Sequence, residues 1–307
     1  MILNIFFIVI GIVLVLWGAD RLTDGAVAVA EKMKMPQIVI GLTIVAMGTS
    51  MPEFCVSLIS ALKGTSDLAV GNIVGSNIFN TLLIVGVSAL VAPMSIMKTT
   101  VRKDIPFALV ASTLLLIMCL DGDISRIDAA ILFVMFLIFM YITLRGAKVQ
   151  GTDLEEKEKK PMATWLSIVW ILVGLACLIG GSNLFVDGAT AVATKLGVSE
   201  AVIGLTIVAG GTSLPELATS VVSARKGNSG IAIGNVLGSN VFNILAILGL
   251  TGVISPMTLK GITMTDLSMM VISVILIWLF SFTKYKIERW EGAILTAVFV
   301  GYIYSLL

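Results

Sequence analysis

Two carboxylates stand where carboxylates are costly. Glu53 and Glu216 each close a thirteen-residue segment, GLTIVAMGTSMPE over 41–53 and GLTIVAGGTSLPE over 204–216, and 11 of the 13 positions are identical. Both fall near the middle of apolar runs long enough to cross a bilayer, where an ionised carboxylate needs a compensating partner. No Lys or Arg lies within the core of either run. One reading is a protonated pair that only ties helices together. The reading favoured here is that two acids at equivalent places of a duplicated chain face each other and share a cation. Hydroxyls adjoin both acids. Ala46, Thr49, Ser50 and Glu53 share one side of a helix, as do Ala209, Thr212, Ser213 and Glu216. Pro52 and Pro215 each lack an N–H and crowd the carbonyl four residues back, at Gly48 and Gly211, so the helix is expected to open there. The carbonyls of Ala46, Thr49, Ala209 and Thr212 are then expected to become oxygen ligands lining a cavity.

A second pair of segments follows at the same interval. GNIVGSNIFN over 71–80 and GNVLGSNVFN over 234–243 agree at 7 of 10 positions. They set Asn72, Ser76 and Asn80 four residues apart on one helix, and Asn235, Ser239 and Asn243 on another. Such stripes also serve helix packing, and Gly71 with Gly75, and Gly234 with Gly238, permit close approach. The two roles are compatible. The assembled donor set is carboxylates, hydroxyls and carbonyls, with no histidine in the chain. Cys55, Cys119 and Cys177 show no paired spacing and read as buried thiols. This set suits hard cations such as Ca²⁺ and Na⁺ and argues against zinc or copper. Two negative charges balance one Ca²⁺ or two Na⁺, so the ions would occupy the site in alternation, which exchange requires. A nucleophile with its base is missing, which argues against an enzyme.

The elements that must position these residues follow from a repeat with an offset of 163, which also relates Asp24 to Asp187, Gly25 to Gly188 and Pro93 to Pro256. Hydrophobic residues make up 58% of the chain and charged ones 13%, with mean hydropathy +1.06, too apolar to cover a water-soluble globule. A net charge of +1 gives no reason to invoke nucleic acid. The first apolar run lacks a basic start and a small-residue cleavage site, so it reads as a retained helix. Spanning helices are expected near 2–31, 37–62, 67–92, 104–120 and 127–145, then 164–194, 200–224, 230–255, 265–282 and 288–306. The expectation is therefore an all-α integral membrane protein of ten transmembrane helices in two repeats, 1–145 and 164–307, joined by a solvated linker at 146–163. Five is odd, so the second repeat enters from the opposite side and the topology is inverted. Loops on one face carry 15 Lys and Arg and those on the other four, which predicts a cytoplasmic linker and external termini.

The paired GTSxPE and GNxxGSNxxN segments resemble the two alpha-repeat motifs of the sodium/calcium exchanger family, in the cation/calcium antiporter superfamily. The resemblance covers the whole frame and is to the compact prokaryotic type, since the linker is too short for calcium-sensing domains. It implies Na⁺/Ca²⁺ antiport without a cofactor. It also implies a central Ca²⁺ site from Glu53, Glu216 and the carbonyls of Thr49 and Thr212. Flanking Na⁺ sites would use Ser50, Ser239 and the Ala46 carbonyl on one side, and Ser213, Ser76 and the Ala209 carbonyl on the other. Asn80 and Asn243 would line the middle; Asn243 stands where some prokaryotic members carry Asp, leaving one fewer acid there. The alternatives are a Ca²⁺ antiporter coupled to H⁺ or K⁺ and, further off, a passive cation channel. The expected mechanism is alternating access by a monomeric unit in the cell membrane, surrounded by lipid, with the second, third, seventh and eighth helices as a core. The long first and sixth helices would slide across it through Gly11, Gly18, Gly25, Gly174, Gly180, Gly181 and Gly188, so that linking residue 18 to the core would block exchange. Asp121, Asp123 and Asp128 read as helix caps. Asp24 and Asp187 read as interfacial anchors or part of an ion entrance.

Overall fold

Apolar runs of this length fold as helices because no water is present in lipid to satisfy an open backbone. The computed structural model describes residues 2–150, 162–197 and 209–306. The first repeat contains α1 (Ile2–Lys32), α2 (Gln37–Thr49), α3 (Met51–Leu62), α4 (Ser66–Val91), α5 (Thr100–Asp121) and α6 (Arg126–Gln150). The second contains α7 (Thr164–Lys195), α8 (Ala209–Thr212), α9 (Leu214–Arg225), α10 (Ser229–Ile254), α11 (Met264–Ser281) and α12 (Arg289–Leu306). Among the described residues seven of these helices are each long and apolar enough to cross a membrane, and the bent pair α2 and α3 adds an eighth. The start of the expected span at 200–224, and linker residues 151–161, lie outside the described residues. Two boundaries move. α5 begins at Thr100, four residues before its expected start, and α6 continues to Gln150, inside the expected linker.

Four short strands tie the repeats to each other: β1 (Met94–Ser95), β2 (Asp123–Ile124), β3 (Met257–Thr258) and β4 (Lys286–Ile287). β1 pairs antiparallel with β4, Met94 opposite Ile287, and β2 with β3, Ile124 opposite Met257. The two pairings map onto each other under the 163-residue offset. In the same way α4 and α10 carry π-helical turns at Phe79–Ile84 and Phe242–Leu248.

α10 is enclosed on nearly every side, while α1 and α7 leave most of their surface outward. Glycines let α2 lie directly on α10. A Cβ on Gly238 would stand 2.6 Å from the Leu42 carbonyl oxygen, and one on Gly41 2.9 Å from the Gly234 Cα. The partners that the repeat implies for Gly71 and Gly75 fall mainly in 201–208, outside the described residues.

The glycines of the long helices do something other than expected. A Cβ on Gly18 would lie 2.8 Å from the Gly174 carbonyl oxygen, one on Gly11 2.7 Å from that of Gly181, one on Gly25 2.7 Å from that of Ser167, and one on Gly188 2.7 Å from that of Asn4. These glycines recur every seven residues, two helical turns, and seat α1 against α7 rather than against the core. Gly180 stands apart, since a Cβ there would meet no described neighbour within 4 Å. The two long helices are thus one unit. The cysteine expectation also needs correction: Cys119 is buried, but Cys177 is half-buried and Cys55 exposed. In a chain whose outer surface meets lipid, an apolar neighbourhood does not imply burial.

Candidate cation-binding site

The chain breaks its helix at Ser50 (φ −84°, ψ 10°) and at Ser213 (φ −90°, ψ 7°), and α2 and α3 meet at 48°. Pro52 and Pro215 then occupy the second positions of α3 and α9, where a missing N–H breaks no helical bond. The break therefore places Glu53 and Glu216 in the first turn of a helix, where unpaired N–H groups and the helix dipole favour negative charge.

The two acids meet. Ser50 Oγ donates to Glu216 Oε1 at 2.8 Å, and Ser213 Oγ donates to Glu53 Oε1 at 3.0 Å, so each carboxylate is held by the serine of the other repeat. Glu53 is 1% exposed and Glu216 0%. Asn72 and Asn235 lock the helices behind them. Asn72 Nδ2 donates to the Glu53 carbonyl (3.2 Å) and Ser57 Oγ (3.0 Å), and Asn235 Nδ2 to the Glu216 carbonyl (3.2 Å) and Ser220 Oγ (3.0 Å). Thr49 is buried with its hydroxyl donating to Asn235 Oδ1 at 3.0 Å, and Thr212 is half-buried. Ser76 Oγ lies 3.3 Å from Ser213 Oγ.

At Ala46 the expectation of a freed carbonyl is not met. The break does not free the Ala46 carbonyl, which accepts the Ser50 N–H at 3.0 Å with the Thr49 hydroxyl 3.3 Å away, because the helix closes one last turn before it opens. Its equivalent, Ala209, begins α8 at the edge of the described residues.

Acceptors outnumber donors at the centre. Glu53 Oε2, Glu216 Oε2, Asn80 Oδ1, Asn243 Oδ1 and Ser239 Oγ are buried, and among the described residues none has a hydrogen-bond partner. The two amide oxygens can only accept, and so can the two carboxyl oxygens once ionised around a cation. Buried polar atoms are otherwise almost always satisfied, so this set calls for a positive partner. Among the described residues no three His, Cys, Asp or Glu side chains are grouped so as to hold a metal ion, so the donors beside the two carboxylates are neutral oxygens. Such a donor set suits a hard cation.

Sequence reasoning passed over a buried amide network behind Asn80 and Asn243. Asn80 Nδ2 donates to Asn240 Oδ1 (3.1 Å), and Asn243 Nδ2 to Asn77 Oδ1 (3.1 Å). Asn77 and Asn240 are identical across the repeat inside the GSN segments, which was the available signal, but they stand one position off the stripe. A charged cluster also escaped notice. Lys226, just after α9, lies 2.6 Å from Asp20 Oδ1 and 2.7 Å from Asp24 Oδ1 on α1, Arg21 also pairs with Asp20, and Thr23 Oγ1 lies 3.0 Å from Ser223 Oγ. Asp24 is thus an ion-pair partner here. Its repeat equivalent Asp187 is exposed, as is Lys63, the equivalent of Lys226, and no ion pair joins them among the described residues.

The family model described as sodium/calcium exchanger protein matches residues 3–145 and 166–307. The chain belongs to the sodium/calcium exchanger family. Relatives include the sodium/calcium exchanger MaX1 of Methanosarcina acetivorans, 32% identical over 344 residues, covering 99% of this chain and 98% of that one. The inner membrane protein YrbG of Escherichia coli (strain K12) is 36% identical over 316 residues, covering 100% and 97%. Among solved structures, the sodium-calcium exchanger NCX_Mj soaked with zero Na⁺ and Ca²⁺ gives a TM-score of 0.88 at 31% identity, covering 100% of this chain and 99% of that one. This exchanger-family chain shares an all-α, multi-pass membrane fold with a transporter.

Proposed function

We propose that the chain is a secondary active antiporter exchanging Na⁺ for Ca²⁺ by alternating access to one site at mid-membrane. The observation that carries this is the meeting of Glu53 and Glu216, each held by a serine of the other repeat and each with a second oxygen that lacks a donor. One Ca²⁺ neutralises both charges, and so do two Na⁺. Filling the site with one cargo therefore excludes full occupancy by the other. We assign the ligand set as expected from the sequence: Glu53, Glu216, Thr49 and Thr212 at the centre, Ser50, Ser76, Ser213 and Ser239 with the carbonyls of Ala46 and Ala209 at the flanks, and Asn80 and Asn243 between them.

Two inverted repeats, 1–145 and 164–307, support this mechanism, because one set of contacts can recur on opposite sides of the membrane. The strand pairings and the Ser to Glu, Asn to Glu and Asn to Asn bonds recur under the 163-residue offset. The Lys226 cluster does not. It seals α1 onto the end of α9 on the face where Lys and Arg concentrate, which the positive-inside rule makes cytoplasmic. The mobile unit is the α1 and α7 pair. An apolar cleft of about 300 Å³, lined by Ile12, Leu16, Phe185, Leu214 and Leu217 among others, gives it room beside the core. Movement that separates Lys226 from α1 would bring Lys63 to Asp187 on the other face. The membrane is assigned as the cell membrane, with termini outside.

The test is transport by purified protein in vesicles. An outward Na⁺ gradient drives uptake of labelled Ca²⁺, whereas an equal K⁺ gradient or a pH gradient does not. Uptake driven by pH alone would overturn the assignment to Na⁺.

A further inference from the structure

The amide network behind the site has a direction, and one hydroxyl that the second repeat does not share sets it. Thr81 Oγ1 donates its only proton to the Asn77 carbonyl at 2.7 Å, so toward Asn240 it can only accept. Asn240 must then turn its NH₂ to Thr81, at 2.6 Å, and its oxygen to Asn80. Asn80 answers with its own NH₂, which leaves its Oδ1 as the buried oxygen without a donor. On the other half the same polarity needs no side chain, because Asn77 Nδ2 donates to the Asn240 backbone carbonyl at 3.3 Å. Residue 244, the repeat equivalent of Thr81, is accordingly Ile.

We infer that Thr81, acting through Asn240, is a positioning residue that holds the Asn80 amide with its oxygen rather than its NH₂ toward the transported cation. An amide free to rotate presents a donor to a cation for part of the time, which weakens binding without blocking the conformational cycle. The inference rests on the exchange reading, since it assigns Asn80 to the ion site. Binding is the readout because it does not depend on which gradient drives transport.

Labelled Ca²⁺ binding is measured on purified wild type, Thr81→Val and Thr81→Ser, alongside exchange in vesicles. Thr81→Val keeps the shape and removes the acceptor. It should weaken Ca²⁺ binding and raise half-saturating Ca²⁺ by about fivefold or more, as fits one misdirected buried amide, while maximal exchange stays within about twofold. Thr81→Ser restores the acceptor and should bind within about twofold of wild type. If Thr81→Val does not fold, Thr81→Cys replaces it, a weaker acceptor that should bind less well than Ser. Equal affinity in Val (or Cys) and wild type, or an equal loss in Val and Ser, overturns the inference and leaves exchange intact. A wild type that binds no Ca²⁺ overturns both.

Discussion

Removing the Lys226 ammonium should open the cytoplasmic side. Lys226 bridges Asp20 (2.6 Å) and Asp24 (2.7 Å), and its side chain is 29% exposed. Pairs with this degree of solvent contact contribute about 0.2 to 1 kcal/mol each, so losing both in Lys226→Met forfeits about 0.4 to 2 kcal/mol from the closed arrangement. That corresponds to a shift of roughly 2- to 30-fold in the population that separates α1 from α9. Ser223 reports the separation, because it is fully buried against Thr23. Ser223→Cys, in a chain with Cys55, Cys119 and Cys177 replaced, is labelled with a membrane-impermeant maleimide from either side. Lys226→Met should speed labelling from the cytoplasmic side by that factor. Lys63→Met should not speed it, since Lys63 makes no such pair among the described residues. An unchanged rate in Lys226→Met would refute the assignment of this cluster as the cytoplasmic seal.

Further substitutions test the frame. Gly18→Leu drives a side chain into the Gly174 carbonyl, whose oxygen lies 2.8 Å from the Cβ position, and should destabilise the helix pair by about 1 to 3 kcal/mol, seen as a lower unfolding temperature in detergent. Asn235→Ala removes the partner of Thr49, Ser220 and the Glu216 carbonyl at once and should cost about 2 kcal/mol or more with exchange greatly reduced, whereas near-normal flux would show that this lock is dispensable.

The duplicated segments made most of this legible in advance. Glu53 and Glu216 carried their own signal: a carboxylate in an apolar run with a proline beside it has few stable solutions, and finding it twice leaves fewer. The helix break at Ser50 and Ser213 followed from Pro52 and Pro215, although the state of the Ala46 carbonyl did not, since where the last turn closes depends on local geometry. Thr81 was illegible because the repeat places Ile244 at its equivalent, so duplication gave no signal. The pairing of Lys226 with Asp20 and Asp24 joins residues about two hundred apart and belongs to one conformation, and no periodicity encodes that. Gly18 showed that a helix face was small-residued but not which neighbour it met. Cys55 was misplaced because hydrophobic neighbours indicate an interior only when the exterior is water.

The proposed exchange rests most on two carboxylates serving one cation site that either cargo can fill. The direct measurement is labelled Ca²⁺ binding to purified protein across a range of Na⁺ concentrations, in wild type, Glu53→Gln and Glu216→Gln. Na⁺ should displace Ca²⁺ completely from the wild type, and either substitution alone should abolish Ca²⁺ binding, since one remaining charge cannot balance a divalent ion at low dielectric. Ca²⁺ binding that persists in either variant, or that Na⁺ leaves undisturbed, would contradict a shared two-carboxylate site.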